Sequence, residues 1–264
     1  MHVVVTGASS GIGEAIVREY VAAGAKVTMV ARRVALLDAL AQELGAAVRA
    51  QPADLGDPAQ ATAWLPAAIA AFGPVDVLVN NAGVQIVART EDVELPAMRA
   101  LFEVDLLSPL ALVQAVLPSM LMRKQGAIVN VASVAGLAPT PGMTHYSAAK
   151  AGLAAASECL RGELKSSGVH VVTVYPGPVD TPMARAAYEI VPPTAAVKMI
   201  PSGTTSALAQ RIRRAVESRR ARVIYPRAYA VTRHMPAITR VMMDAFTPLP
   251  AARLPPGERE PDGG

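Results

Sequence analysis

A single cysteine, Cys159, occurs among the 264 residues. One thiol excludes an intramolecular disulfide and fits a reducing compartment, so the expected location is cytoplasmic. Cys159 lies in a helical pattern, where a small buried hydrophobe is the expected role rather than a nucleophile. The four histidines, His2, His145, His170 and His234, are too scattered for ligand spacing, and no metal site is expected. Aromatic residues make up only 4% of the chain, so its core must be built mainly from Ala, Val and Leu. No uninterrupted apolar run reaches the roughly 18 residues that mark a membrane span. A β-branched run starts almost at the first residue, so no secretory leader is expected. Charged residues are also few, at 17%, with a net charge of +4. The arginines cluster only at 211–214 and 219–222, which reads as a solvated helix face rather than a nucleic-acid surface.

Short runs that are apolar at nearly every position recur at His2–Thr6, Lys26–Val30, Ala47–Gln51, Val75–Val79, Ala127–Val131, Val169–Val174 and Arg222–Tyr225. Such runs suit strands covered on both faces, and helical patterns separate them. Seven strands alternating with helices give a doubly wound α/β architecture in a single domain over 1–247. The first two helices are expected to stop at Gly24 and Gly45, and the third to open at Asp57-Pro58 with a kink at Pro66. A long apolar helix is expected from about Ala97 to Arg123, interrupted at Ser108-Pro109, and another from Tyr146 to about Ser166. Helices this apolar need cover beyond their own sheet, and a homodimer or homotetramer would supply it. The Pro-rich stretch from Pro176 to Gly203 reads as a loop or short-helix lid, centred on 184–203. A basic helix follows to about Arg220, then a Met-bearing helix from Tyr229 to Phe246, then a tail, 248–264, expected to be disordered.

Three constellations carry chemistry. Tyr146 and Lys150 are four apart, on one face of a helix. A phenol titrates near 10, so acid/base work at neutrality needs its anion stabilised, which a neighbouring ammonium or a bound cationic cofactor does. Thr6-Gly7-Ala8-Ser9-Ser10-Gly11-Ile12-Gly13 joins the first strand to the first helix, where glycines let a pyrophosphate approach the helix N-terminus. After the second strand, the place where an acidic residue commonly holds the ribose hydroxyls of NAD has no carboxylate, and Arg32 and Arg33 follow. Guanidinium groups there favour a 2′-phosphate, hence NADP(H) over NAD(H).

With Asn80-Asn81-Ala82-Gly83, Ser133 and Pro176-Gly177 in the same order, the chain resembles the short-chain dehydrogenases/reductases, in their compact single-domain branch, over about residues 3–183. The resemblance implies a Rossmann-type three-layer sandwich with a seven-stranded parallel sheet, and NADP(H)-dependent interconversion of a carbonyl and an alcohol. It implies that Tyr146 exchanges a proton with the substrate oxygen, that Ser133 hydrogen-bonds that oxygen, and that Lys150 binds the nicotinamide ribose. Cofactor contacts are implied at Gly7, Ser9, Ser10, Gly11 and Ile12, at Asp54 and Leu55 beside the adenine, at Asn81, Ala82 and Gly83, and at Pro176, Gly177, Val179 and Thr181. One position departs from the pattern: the fourth catalytic residue, an asparagine in the family, is Asp105 here. Its charge favours the ammonium of Lys150 and opposes a phenolate at Tyr146, so the net sign depends on the geometry.

The lid's Met, Ile, Val, Pro and Tyr content suits an apolar carbonyl or alcohol, although the same residues would also serve to pack the lid on the sheet. Three rival readings stand beside this one. A cofactor-binding protein with weak or no catalysis could follow from Asp105, and dehydration or epimerisation is possible on the same fold. The Tyr229–Phe246 helix, with Arg233 and Arg240, could instead lie on a membrane surface.

Overall fold

The computed structural model describes residues 1–191 and 202–235, together with 237, 239–241, 245, 247 and 250. Strands β1 (His2–Thr6), β2 (Lys26–Ala31), β3 (Val48–Pro52), β4 (Val77–Asn80), β5 (Gly126–Val131), β6 (Val169–Pro176) and β7 (Arg222–Tyr225) form one parallel sheet in the order β3-β2-β1-β4-β5-β6-β7. The order reverses between β1 and β4, which pair Val3 with Val77 and Val5 with Val79. That reversal opens a crevice at the strands' carboxyl ends, where open α/β sheets bind their ligands.

The continuous apolar runs are explained by cover on both faces. On one side α1 (Gly11–Ala22), α2 (Val34–Leu44) and α8 (Thr205–Glu217) bring Ile16, Val17, Leu37, Leu208 and Ile212 against Val3, Val5, Val27 and Met29. On the other, α3 (Leu65–Phe72) and α5 (Ser108–Arg123) bring Leu65, Leu112, Val113 and Val116 against Val4, Leu78 and Ile128. Burying one such aliphatic side chain contributes about 1.5–3 kcal/mol.

Several helix boundaries differ from expectation. Asp57 and Pro58 open a run of turns, and α3 begins at Leu65 with Pro66 in its first turn, so that proline starts the helix instead of kinking it. The long helix breaks earlier than Ser108-Pro109: α4 (Leu95–Phe102) passes through a π-helical turn at Glu103–Leu107 into α5, where Pro109 occupies the first turn. Leu95–Arg123 is long and apolar enough to cross a membrane by length and composition. In this fold its apolar residues Leu101, Leu112, Val113, Val116 and Met120 are buried, while Leu95, Leu107, Leu121 and Met122 remain exposed. Helix α6 runs Thr144–Glu163, α7 Pro182–Ile190 and α9 Val231–His234, which a 3-10 turn at Arg227–Ala230 precedes. The expected Tyr229–Phe246 helix is therefore broken at Met235, and residues 236, 238, 242–244 and 246 lie outside the described residues. So do lid residues 192–201 and the expected disordered tail apart from Pro250, whose carbonyl accepts from Arg89 Nε at 3.1 Å. Cys159 is exposed rather than buried, because α6 turns Leu153, Ala154 and Ser157 inward and position 159 outward.

His2 is 1% exposed at the foot of the sheet. Its Nδ1 donates to the Gly73 carbonyl at 2.8 Å, which leaves Nε2 to accept from Thr28 Oγ1 at 2.9 Å. Burial pushes its pKa below the usual value, against the pull of that carbonyl and of Asp76. The unfolded chain therefore takes up a proton first, and folding stability declines as pH falls through about 6.5. Urea denaturation should show a lower midpoint at about pH 5 than at about pH 7.5, and His2→Gln should narrow the difference. His170, whose pKa burial also lowers, leaves part of it in place.

Candidate active site

Tyr146, Ser147, Ala149 and Lys150 are the buried positions in the first turns of α6. A chain of amides and hydroxyls fixes how that helix lies on the sheet. Asn80 Nδ2 donates to Asn130 Oδ1 at 2.8 Å, Asn130 Nδ2 to Ser157 Oγ at 2.8 Å, and Ser157 Oγ to the Leu153 carbonyl at 2.7 Å. These groups are buried, so each bond that is lost strands a polar atom at a cost of about 1–3 kcal/mol. Further along α6, Arg161 donates to the Val171 carbonyl and to Thr173 Oγ1 on β6.

Ser133, just past β5, accepts from Ala135 N at 3.1 Å and thereby caps the 3-10 turn Val134–Gly136. That turn lies tight on α6: a Cβ on Gly136 would sit 2.9 Å from Ala151 N and 3.0 Å from the Lys150 carbonyl carbon. Only glycine permits this approach, which places the Ser133 hydroxyl near enough to the Tyr146 phenol to lower its pKa. Sequence reasoning missed Gly136 and the Asn80–Asn130–Ser157 chain. Asparagines inside otherwise apolar strand runs were the available signal.

Lys150 is 3% exposed, its Nζ 5.8 Å from the Tyr146 ring centroid and 3.2 Å from the Val131 carbonyl. The third neighbour of Nζ is Asp105 Oδ2, at 3.2 Å. Asp105 is fully buried on the π-helical turn, and its Oδ1 accepts from Val84 N at 2.7 Å. Burial pushes the Asp105 carboxyl above the usual carboxylate range, against the pull of Lys150 and the Val84 N–H. Burial by itself would lower the pKa of Lys150, but the Asp105 carboxylate and Tyr146 outweigh it and hold the ammonium above its ordinary value. Tyr146 is raised, first by burial and then by Asp105, while Lys150 and Ser133 pull the other way. The arrangement can hold a neutral phenol ready to give up a proton beside a carbonyl oxygen.

The Gly-rich turn lies at the β1 end of the crevice. Thr6 Oγ1 accepts from Asn81 N and Ala82 N, each at 3.0 Å, and Asn81 Nδ2 returns to the Thr6 carbonyl at 2.9 Å. A Cβ on Gly13 would stand 2.2 Å from the Gly7 carbonyl oxygen, so α1 can start this close to β1 only with glycine there. Ser10 is the N-cap of α1, yet its hydroxyl makes no capping bond. Instead Arg33 donates from Nη2 to Ser9 Oγ at 2.8 Å and to Ser10 Oγ at 2.5 Å. A guanidinium and two hydroxyls thus stand at a helix N-terminus whose first-turn amides Ser10 leaves uncapped, which fits the phosphates of a dinucleotide. Arg32 points elsewhere, to Asp54 at 3.8 Å. Leu55 turns its side chain into the core, and Ser108 takes its carbonyl at 2.7 Å. Ile12 packs beside the other core face, and Gly11 is against Thr181, 3.4 Å from Thr181 Cγ2 to a Cβ placed on the glycine. Thr181 in turn caps α7 by accepting from Ala184 N. Past Pro176, Gly177 N donates to the Tyr225 carbonyl, and Val179 bridges Gly203, so both ends of the lid segment are tied together.

Residues 1–190 match the family model of short chain dehydrogenases. An uncharacterized oxidoreductase of Staphylococcus epidermidis is 38% identical over 180 residues, 68% of this chain and 78% of that protein. Among solved structures, a short-chain dehydrogenase from Sphingobium yanoikuyae in complex with NADPH is 29% identical, with a TM-score of 0.78 over 96% of this chain and 98% of that one. A 3-ketoacyl-(acyl-carrier-protein) reductase from Brucella melitensis, complexed with NADH, is 26% identical, with a TM-score of 0.76 over 85% of this chain and 96% of that one. A family match across most of the sheet, together with a relative this similar over two thirds of the chain, identifies the protein as a member of the short-chain dehydrogenase/reductase family of oxidoreductases.

Proposed function

We propose that this chain is an NADP(H)-dependent oxidoreductase that interconverts a carbonyl and an alcohol on an apolar small molecule. The observation that carries the reading is the buried Tyr146 phenol, met by the Ser133 hydroxyl and with the Lys150 ammonium 5.8 Å from its ring. A bound nicotinamide dinucleotide supplies the hydride. Tyr146 Oη gives its proton to the substrate oxygen, and the Ser133 hydroxyl holds that oxygen in place. Lys150 and the residues Pro176, Gly177, Val179 and Thr181 hold the nicotinamide end, with Asn81, Ala82 and Gly83 beside them. Gly7, Ser9, Ser10, Gly11 and Ile12 carry the phosphates, Asp54 and Leu55 flank the adenine, and Arg33 takes the 2′-phosphate. Both NADPH and NADH occur in related structures, so the preference rests on Arg33 and its two serines.

An apolar substrate is supported by what surrounds the tyrosine. Val84, Ile86, Leu101, Phe102 and Met143 pack about it, and Met183, Tyr188 and Ile190 on α7 are exposed. A panel of apolar ketones tests the reading by following NADPH absorbance and product together. Loss of NADPH matched by an equal yield of alcohol is expected with at least one ketone. Cofactor binding without turnover across the panel, or conversion without net NADPH loss, would overturn it.

A further inference from the structure

We propose that Asp105 poises this site for carbonyl reduction rather than alcohol oxidation, by keeping Tyr146 in its phenol form. The inference rests on Tyr146 being the proton donor. In reduction the carbonyl carbon gains a hydride from the reduced nicotinamide and the oxygen gains the Tyr146 proton, leaving alcohol, oxidised cofactor and phenolate. Oxidation runs the same exchange backwards and must begin from the phenolate. Whatever opposes the phenolate therefore favours the reductive start.

Asp105 opposes it by position. Its carboxylate is 3.2 Å from the Lys150 ammonium and has no exposure, and Oδ2 has no donor other than that ammonium. Lys150 spends a second N–H on the Val131 carbonyl, leaving one of its three donors. An unpaired ammonium would stabilise a phenolate beside it, but an ammonium already matched by a buried carboxylate presents a dipole with far less pull. Among the described residues, the polar groups that face the phenol are Lys150 from its own helix, Asp105 from the π-helical turn and Ser133 from the end of β5. The apolar residues clustered with it, Leu101, Ala135 and Ala149, offer the phenolate nothing in return. An asparagine at 105 would keep the bond from Val84 N and remove the charge. Asp105 thus acts through Lys150, as a positioning residue.

The test reads the phenol directly, without cofactor or substrate. Tyrosinate absorbance is followed on raising the pH, and subtracting the Tyr146→Phe titration isolates residue 146 from the other tyrosines. In the wild-type chain residue 146 should ionise above the ordinary phenol value of about 10. With Asp105→Asn the ionisation should begin about one unit lower, a tenfold gain in phenolate at a given pH. Wild-type ionisation near neutrality overturns the proposal with no need of the variant, so a poorly folding Asp105→Asn leaves it falsifiable. An unchanged onset in a folded Asp105→Asn also overturns it. Turnover that survives in Tyr146→Phe overturns the proton-donor reading instead, which keeps the two failures apart.

Discussion

Tyr146→Phe should lower kcat by about 10²–10⁴, the span attributed to a positioned general acid, while leaving the affinity for NADPH unchanged. The substitution removes one atom from a side chain that is 8% exposed and packed among Leu101, Ala135 and Ala149, so the ring and its contacts remain. What goes is the phenol hydroxyl and its interaction with Ser133, which costs about 1 kcal/mol of stability at most, far less than the loss in rate. A tenfold loss in rate is about 1.4 kcal/mol of barrier, so the chemical effect is about 3–5 kcal/mol. None of the groups assigned to the phosphates moves, because Ser9 and Ser10 lie in the turn between β1 and α1, Arg33 is the N-cap of α2, and α6 carries none of them. Thermal melting and a fluorescence titration with NADPH separate the three quantities. Turnover within tenfold of wild type would move the acid away from Tyr146 and leave Lys150 and Ser133 without their proposed task.

Much of this arrangement is legible before any coordinates, because local rules and global packing agree. The run from His2 to Thr6 is buried at every position and reads as a covered strand, and Gly24 ends α1 in a left-handed conformation that glycine takes most cheaply. The Gly-rich turn and the Tyr146–Lys150 pair are likewise visible as spacing, while Ser133 is reached through the family resemblance. What the chain hides is tertiary. Helical periodicity carries no mark of the π-helical turn at Glu103–Leu107, since a widened turn shifts the face by a fraction of a residue, within the tolerance of an apolar stripe. That turn is what brings Asp105 to Lys150 across the chain, and without the distance the effect of its charge has no sign. Asp57-Pro58 has every local feature of a helix start, yet Asp57 accepts from Ala59 N and Gln60 Nε2 in a turn. Side-chain bonds to nearby backbone compete with the helix there and win. Cys159 was misplaced for a simpler reason: on a helix covered on one side only, a small apolar residue falls on either face.

Arg33→Ala should raise the Kd for NADPH about 10–100-fold and leave that for NADH nearly unchanged, so that the variant loses most of its discrimination. The magnitude follows from one or two charge-assisted hydrogen bonds to a phosphate, each worth about 1.5–3 kcal/mol. Two guanidiniums follow β2, and their surroundings decide between them. Arg33 is held by Ser9 and Ser10 over the start of α1, whereas Arg32 is 61% exposed and already faces Asp54 at 3.8 Å. A 2′-phosphate beside Arg32 would have to share that cation with a carboxylate, so Arg32→Ala should cost clearly less. Arg33 is also the N-cap residue of α2, where a cation opposes the helix dipole and its side chain makes no capping bond. Its placement is unfavourable in the empty protein and becomes favourable once an anion arrives. The melting temperature of the cofactor-free protein should therefore hardly change in Arg33→Ala, while the rise produced by saturating NADPH shrinks. Salt gives a second check, because a phosphate contact at an exposed guanidinium is screened over about 8 Å at physiological ionic strength. Raising salt should weaken NADPH binding to the wild type more than to Arg33→Ala. Equal losses of NADPH and NADH affinity would instead make Arg33 a support for the Gly-rich turn, acting through Ser9 and Ser10 on both cofactors alike.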